Sequence, residues 1–494
     1  MGLRRVLATV FVAAMTGCSR PEGAESDFEI TLKPVRDGAP EVMAIEVRWE
    51  LRGPLPDSVV LGAPVVYAGV TGIADRIERI EARDRKGPLK LTTSDDSPAP
   101  GGFPYFRHWR PDRRVSGPLT VAYRARVQPD GERNGPPLSI RSGSGGVSGA
   151  GPGFLLLPED TSALALRVHW DLTDLPAQSL GVTSLGEGDL FFHGSIERLQ
   201  QSWIMAGPVG RYPTDSSAGF SAFWLGKAPF DETIEMKWAA DFYAWLAREF
   251  AYLDPPPPYR VFMRFLAAAP CGGGTALEGS FMLSRCVQRG DTVEGGPRET
   301  FAHEMIHQWV GGIAGPHGVT SWFSEGLTTH YTRLLPLRGG FMPVEWFGAQ
   351  VRESTDGYYL SPGRNLSADS IAALGFGDEN IRHVPYHRGA LYFADLDARI
   401  RKASAGKRTL DSLMHQIFVR RHRGERFDQE AWLAAVAQEL GDSARAQFTS
   451  VILQGRTIVP DSGAFGPCFT RRSRGTGYEW VRAPGIPDAT CRSW

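Results

Sequence analysis

His303, Glu304 and His307 form the string His-Glu-Met-Ile-His, and Glu325 follows eighteen positions after the second histidine in Trp322-Phe323-Ser324-Glu325-Gly326. On a helix, positions i and i+4 share a face, so both imidazoles reach one ion only if this segment is helical. Glu325 completes a set of three ligands, which leaves a fourth position on a Zn2+ ion open for water or substrate. That is the arrangement of catalytic rather than structural zinc, and Glu304 lies beside it to polarise a water. One Zn2+ per chain and a hydrolase are therefore the expectation. Gly295-Gly296 break the preceding segment, Pro297 suits a first helical position, and Glu299 sits in the first turn where the helix dipole favours an anion. The helix should run past Trp309 to Gly311-Gly312.

The first residues read as an export signal. Arg4-Arg5 precede an apolar stretch from Val6 to Met15, and Thr16-Gly17-Cys18 follow, too short a segment to span a membrane. Met15-Thr16-Gly17-Cys18 resembles the lipobox of bacterial lipoproteins, which implies lipidation of Cys18 and a location in the periplasm or at the outer membrane. Setting Cys18 aside leaves Cys271, Cys286, Cys468 and Cys491, an even number suited to an oxidising compartment. Three pairings are possible, and sequence proximity favours Cys271 with Cys286 and Cys468 with Cys491. A formal net charge of −1 over 494 residues argues against a nucleic-acid partner. Beyond the signal no apolar run approaches membrane-spanning length, so membrane contact is expected only through a lipid at Cys18.

The rest of the chain divides by pattern. Residues 19–26 read as a linker, and residues 27–225 show short alternating segments between Gly, Pro, Asp and Asn, which predict an antiparallel β-sandwich. From Pro229 the period changes to helical, with Ile234, Trp238, Phe242, Trp245, Leu246 and Phe250 recurring until Pro255 to Pro258. Val261 to Leu266 reads as an apolar strand, and Gly272 to Leu283 as a strand entered through glycines. Arg388 to Arg401, Leu410 to Arg420 and Asp428 to Leu440 read as helices, with Asp428 as an N-cap. Residues 226–456 are thus a catalytic domain, and residues 457–494 an irregular, disulfide-held tail.

Between Pro229 and Arg456 the chain resembles the gluzincin metallopeptidases, specifically the aminopeptidase N and glycyl aminopeptidase families. The likeness rests on the His303 to Trp309 segment, on Trp322 to Gly326, and on Val384-Pro385-Tyr386-His387-Arg388-Gly389. It implies an α+β chain in which the N-terminal sandwich precedes a thermolysin-like α/β plus helical catalytic domain. It also implies that His303, His307 and Glu325 bind zinc, that Glu304 is general base and proton shuttle, and that Tyr386 donates a hydrogen bond to the tetrahedral oxyanion. Gly273, Gly274 and Thr275 then belong to the substrate-side edge strand, and Glu278 captures the free amine of a peptide. Two positions depart from the family pattern. Gly279 follows Glu278 where those families have asparagine or histidine, and the His307–Glu325 spacing is shorter, a difference that the loop Gly311 to Thr320 absorbs.

A zinc aminopeptidase acting on peptide N-termini is the leading expectation. An endopeptidase on the same site is the alternative within enzymes, and an inactive peptidase-fold lipoprotein that binds a partner is the alternative outside them. Thr329, one turn beyond Glu325, is within reach of supporting a ligand histidine, but it is expected to be satisfied by its own helix backbone, and His317 and His330 are expected to be bystanders.

Overall fold

A computed structural model describes residues 26–494 apart from 54, 57, 100–101, 130–135, 160–162, 215–218, 268–272 and 288–295. The signal segment, Cys18 and Cys271 lie outside the described residues.

Strands dominate up to about residue 225, because apolar and polar residues alternate there: Phe28, Ile30 and Leu32 are buried while their neighbours are half-buried. A seven-stranded sheet has the order Leu190–Ser195, Ala163–Trp170, Phe28–Val35, Ala44–Leu51, Leu119–Arg126, Ile77–Asp84 and Gly87–Leu89. It is antiparallel except where Phe28–Val35 runs parallel to Ala163–Trp170. A four-stranded sheet that includes Leu61–Val66 and Tyr105–Pro111 packs on it around Trp49, Trp109 and Leu166. Two aromatic side chains satisfy the backbone of Leu156 in this core: Trp49 Nε1 donates to its carbonyl at 2.9 Å, and its N–H donates to Tyr123 Oη at 2.9 Å.

A third sheet, which includes Arg141–Gly143, Gly146–Ala150, Leu180–Thr183 and Trp203–Gly207, joins the two halves of the chain. Successive side chains of its strand Trp203–Gly207 point to opposite faces. Ile204 and Ala206 enter the sandwich core, whereas Trp203 and Met205 pack with Phe223, Phe262 and Met282 of the next sheet.

That next sheet carries the site. Its order is Gly210–Tyr212, Phe220–Leu225, Tyr259–Leu266, Ser280–Cys286 and Gly274–Leu277, with the three central strands parallel and both edges antiparallel. By sheet membership the second half thus begins at Gly210, ahead of residue 226. Val261, Met263, Phe281 and Leu283 face the helical layer. The segment from Gly272 to Leu283, expected as a strand entered through glycines within a hairpin candidate between Cys271 and Cys286, is a hairpin, because Glu278-Gly279 turns the chain and Gly279 takes φ +61°.

Helices follow, as their periodicity predicts. Glu232–Phe250 starts where Asp231 accepts from Ile234 N–H at 2.9 Å, and Gln429–Leu440 where Asp428 accepts from Ala431 N–H at 3.1 Å. Trp322, Phe393, Trp432 and Phe448 form the centre of the helical core. The tail is more regular than expected: Phe469–Arg474 and Gly477–Arg482 pair as a hairpin, Asp488–Arg492 is a short helix, and Cys468 is bonded to Cys491. Cys286 is also disulfide-bonded. No helix of the described residues is long and apolar enough to cross a membrane.

Candidate active site

The helix Arg298–Val310 has Pro297 at its N-cap and Gly311, at φ +55°, at its C-cap. Its start is anchored by a two-pronged ion pair, Arg298 Nε to Glu235 Oε2 at 2.8 Å and Nη2 to Oε1 at 2.9 Å, with Glu235 buried. Its end is held by Trp309, which stacks on Phe250 with centroids 5.3 Å apart. Tyr259 Oη donates to the Glu304 carbonyl at 3.0 Å. The histidine-bearing face is therefore fixed at both ends against the sheet and its neighbouring helix.

The next helix, His317–Arg338, delivers Glu325 to that face. His303 Nε2 and His307 Nε2 are 3.2 Å apart, and Glu325 Oε2 lies 3.3 Å from the first and 3.4 Å from the second. A tetrahedral ion with ligands at about 2.0–2.1 Å requires donor separations of about 3.3 Å, so these three atoms fit zinc without rearrangement. Among the described residues this is the one cluster of three such groups.

Two threonines of the same helix orient the imidazoles. Thr332 Oγ1 donates to Thr328 O at 2.8 Å, so its oxygen is left to accept from His303 Nδ1 at 3.4 Å. Thr328 Oγ1 meets His307 Nδ1 at 3.3 Å. Both contacts turn the Nε2 atoms toward the ion position. Thr329, the neighbour weighed for this role from the sequence, does not take it. Its side chain is buried elsewhere, because a helical rotation of 100° per residue separates it from Thr328.

Tyr386 arrives from a third helix, Val384–Ala403, through an unusually close crossing. A methyl on Gly326 would stand 2.6 Å from Gly389 Cα, and one on Gly389 would stand 2.6 Å from Trp322 O. The paired glycines let the backbones touch, which brings the Tyr386 ring to 5.9 Å from the His303 ring, nearly parallel at 16°. Burial pushes the phenol well above its ordinary pKa and the Glu325 carboxylate adds to the effect, so Tyr386 keeps its proton at neutral pH.

The edge strand Gly274–Leu277 passes directly over Glu304. A Cβ on Gly274 would lie 2.6 Å from Glu304 Cγ, so only glycine fits. Ala276 N–H bonds to the Glu304 carboxylate. Burial raises Glu304 to about 7, against the pull of the His307 charge. Gly273 has open space around it and Thr275 Oγ1 lies 2.6 Å from Gly274 O. Glu278 is exposed in the turn at the end of this strand, and the structure does not bring it into the cluster of ligands.

His383 was not singled out in the sequence. It lies one turn before Tyr386, and the two rings meet edge-on with centroids 5.3 Å apart. The i, i+3 spacing was a readable signal for this pair. His330 is buried among Arg333, Leu334 and Trp494, and burial drives its pKa down to about 3.

No protein-family model and no curated protein sequence matches the chain. Solved structures do. The aminopeptidase N family protein of Idiomarina loihiensis superposes with a TM-score of 0.70 at 15% identity, covering 90% of this chain and 79% of that one. An M1 zinc metallopeptidase variant of Deinococcus radiodurans, bound to a Tyr-Ser-Ala substrate, gives 0.53 at 18% identity over 88% and 94%. Leukotriene A4 hydrolase of Saccharomyces cerevisiae gives 0.53 at 13% identity over 90% and 72%. The chain has the α+β fold of these M1 zinc metallopeptidases, with its sheet-rich N-terminal half and helical C-terminal half in the same arrangement.

Proposed function

We propose that the chain is a zinc-dependent aminopeptidase that hydrolyses the first peptide bond of peptides with a free N-terminus. The observation that carries this reading is the triangle of His303, His307 and Glu325 donor atoms, 3.2 to 3.4 Å on a side, with Glu304 and Tyr386 beside it. One zinc ion held there would supply Lewis acidity and make water a nucleophile near neutral pH. Glu304, steered by Ala276 N–H, takes the proton of the attacking water and returns it to the leaving amine. Tyr386, still protonated, donates to the oxygen on which negative charge develops. The substrate backbone pairs with the exposed edge of Gly274–Leu277, where Gly273 and Gly274 allow close approach and Thr275 lies alongside. Glu278, at the end of that strand, binds the substrate ammonium and so limits cleavage to the terminal residue.

We further propose that the protein is exported and anchored by a lipid on Cys18. The disulfide between Cys468 and Cys491 supports an oxidising compartment.

The test pairs elemental analysis of the purified signal-less protein with a panel of amino-acid 4-nitroanilides. One zinc per chain and chelator-sensitive release of nitroaniline are expected. Equal cleavage of N-acetylated and free-amine peptides would move the reading to an endopeptidase, and zinc without any turnover would move it to a binding protein.

A further inference from the structure

The turn that carries Glu278 is joined to its neighbour Gly279 by one peptide unit, and both polar ends of that unit are held by side chains. Gly279 N–H donates to Gln308 Oε1 at 3.1 Å. Ser280 Oγ donates to the Glu278 carbonyl at 3.1 Å and lies 3.0 Å from Ser184 Oγ. Gln308 follows the second ligand histidine directly, whereas Ser184 belongs to the third β-sheet region, where its hydroxyl accepts from Trp203 N–H at 2.8 Å. Ser280 and Ser184 are both buried. The Glu278–Gly279 peptide is therefore pinned between the zinc-ligand helix on one side and the N-terminal half of the chain on the other.

This matters because a two-residue turn with a glycine at its second central position has one soft coordinate, rotation of the central peptide plane. Gly279 takes φ +61° while Glu278 is not among the residues of positive φ, so the turn has the form in which that rotation is open. In such a turn the N–H of the second central residue has no partner inside the hairpin. Gln308 supplies one.

On the aminopeptidase reading above, we infer that Gln308 and Ser280 are positioning residues that lock this peptide plane and thereby hold Glu278 at a fixed distance from the ion position. They set where the substrate ammonium rests relative to the bond that is cut, and they touch neither substrate nor the reacting atoms. Releasing the plane lets Glu278 wander, which weakens recognition of a free amine without disturbing the ligands or Glu304.

The experiment compares wild type, Gln308→Leu, Gln308→Glu and Ser280→Ala in zinc content and in steady-state kinetics on one peptide offered with a free and an acetylated N-terminus. Loss of a single hydrogen bond of this kind should raise KM for the free-amine peptide about tenfold in Gln308→Leu and in Ser280→Ala. The kcat should stay within about twofold, the rate on the acetylated peptide should not change, and zinc should stay at wild-type stoichiometry. Gln308→Glu keeps an acceptor oxygen and should recover the wild-type KM. Unchanged KM in Gln308→Leu overturns the inference, as does an equal fall in kcat on both peptides with zinc lost, which marks Gln308 as part of the helix framework only. A wild type that shows no preference for the free amine removes the aminopeptidase reading, and the inference with it, before any variant is compared.

Discussion

Thr332 Oγ1 accepts from His303 Nδ1 across 3.4 Å while its own proton is committed to Thr328 O at 2.8 Å. The hydroxyl therefore works only as an acceptor, and it fixes the tautomer that presents His303 Nε2 outward. Thr332→Val keeps the shape and removes that acceptor. Zinc affinity, measured by chelator competition, should fall about 10- to 100-fold. Unaltered affinity would show that helix packing alone orients the ring.

Glu304→Gln should retain zinc and lose turnover by a factor of about 10²–10⁴, because the amide fits the same space beside Gly274 and Ala276 but takes no proton. Full activity in this variant would falsify the assigned base.

Tyr386→Phe removes only a hydroxyl. The kcat on a 4-nitroanilide should drop about 10²–10³-fold with KM nearly unchanged, since the donor acts on charge that appears in the transition state. A parallel rise in KM with intact kcat would instead assign Tyr386 to ground-state binding.

Gly326→Ala introduces a methyl 2.6 Å from Gly389 Cα, against backbone that has no rotamer to yield. The crossing must open, at a cost of about 1–3 kcal/mol, and Tyr386 moves with it. Thermal unfolding should shift down and kcat should fall in the same variant. A stable protein with wild-type kcat would mean that the helices slide apart without consequence.

His330 is buried neutral, with its pKa lowered by burial from 6.5 to about 3, against some support from Asp411. The unfolded chain binds the extra proton more readily, so this contribution is whole above pH 6.5 and is lost as pH falls from there toward 3. Its steepest slope is about 1.4 kcal/mol per pH unit. Urea unfolding between pH 7.5 and 5 should show stability declining with acid, and His330→Leu should flatten that decline. An identical slope in the variant would place the acid sensitivity elsewhere.

Much of the site was legible because its signals are local. His303, Glu304 and His307 lie on one helix face by spacing alone, Pro297 and Gly311 act at helix ends through their backbone geometry, and Asp428 acts through its own carboxylate. Thr328 and Thr332 were not legible, since the choice between Thr328 and Thr329 depends on how two helices rotate against each other. The hairpin between Cys271 and Cys286 was a candidate, but its turn at Glu278-Gly279 was not placed, because apolar residues flank it on both sides. The C-terminal hairpin escaped notice for a related reason: Phe469–Arg474 is polar and mostly exposed after Phe469, so it carries no alternation, and its place is fixed by Phe469 and Trp480 packing on the helical core.

The strand Trp203–Gly207 gives its even-numbered residues Ile204 and Ala206 to one core and Trp203 and Met205 to another. A cut after it would strip Trp203 and Met205 from Phe223, Phe262 and Met282, and a cut before it would bare Ile204 and Ala206. The two halves should accordingly melt in a single cooperative transition, and the sandwich is better regarded as the rear wall of the second half than as an appendage that evolution or an engineer is free to remove.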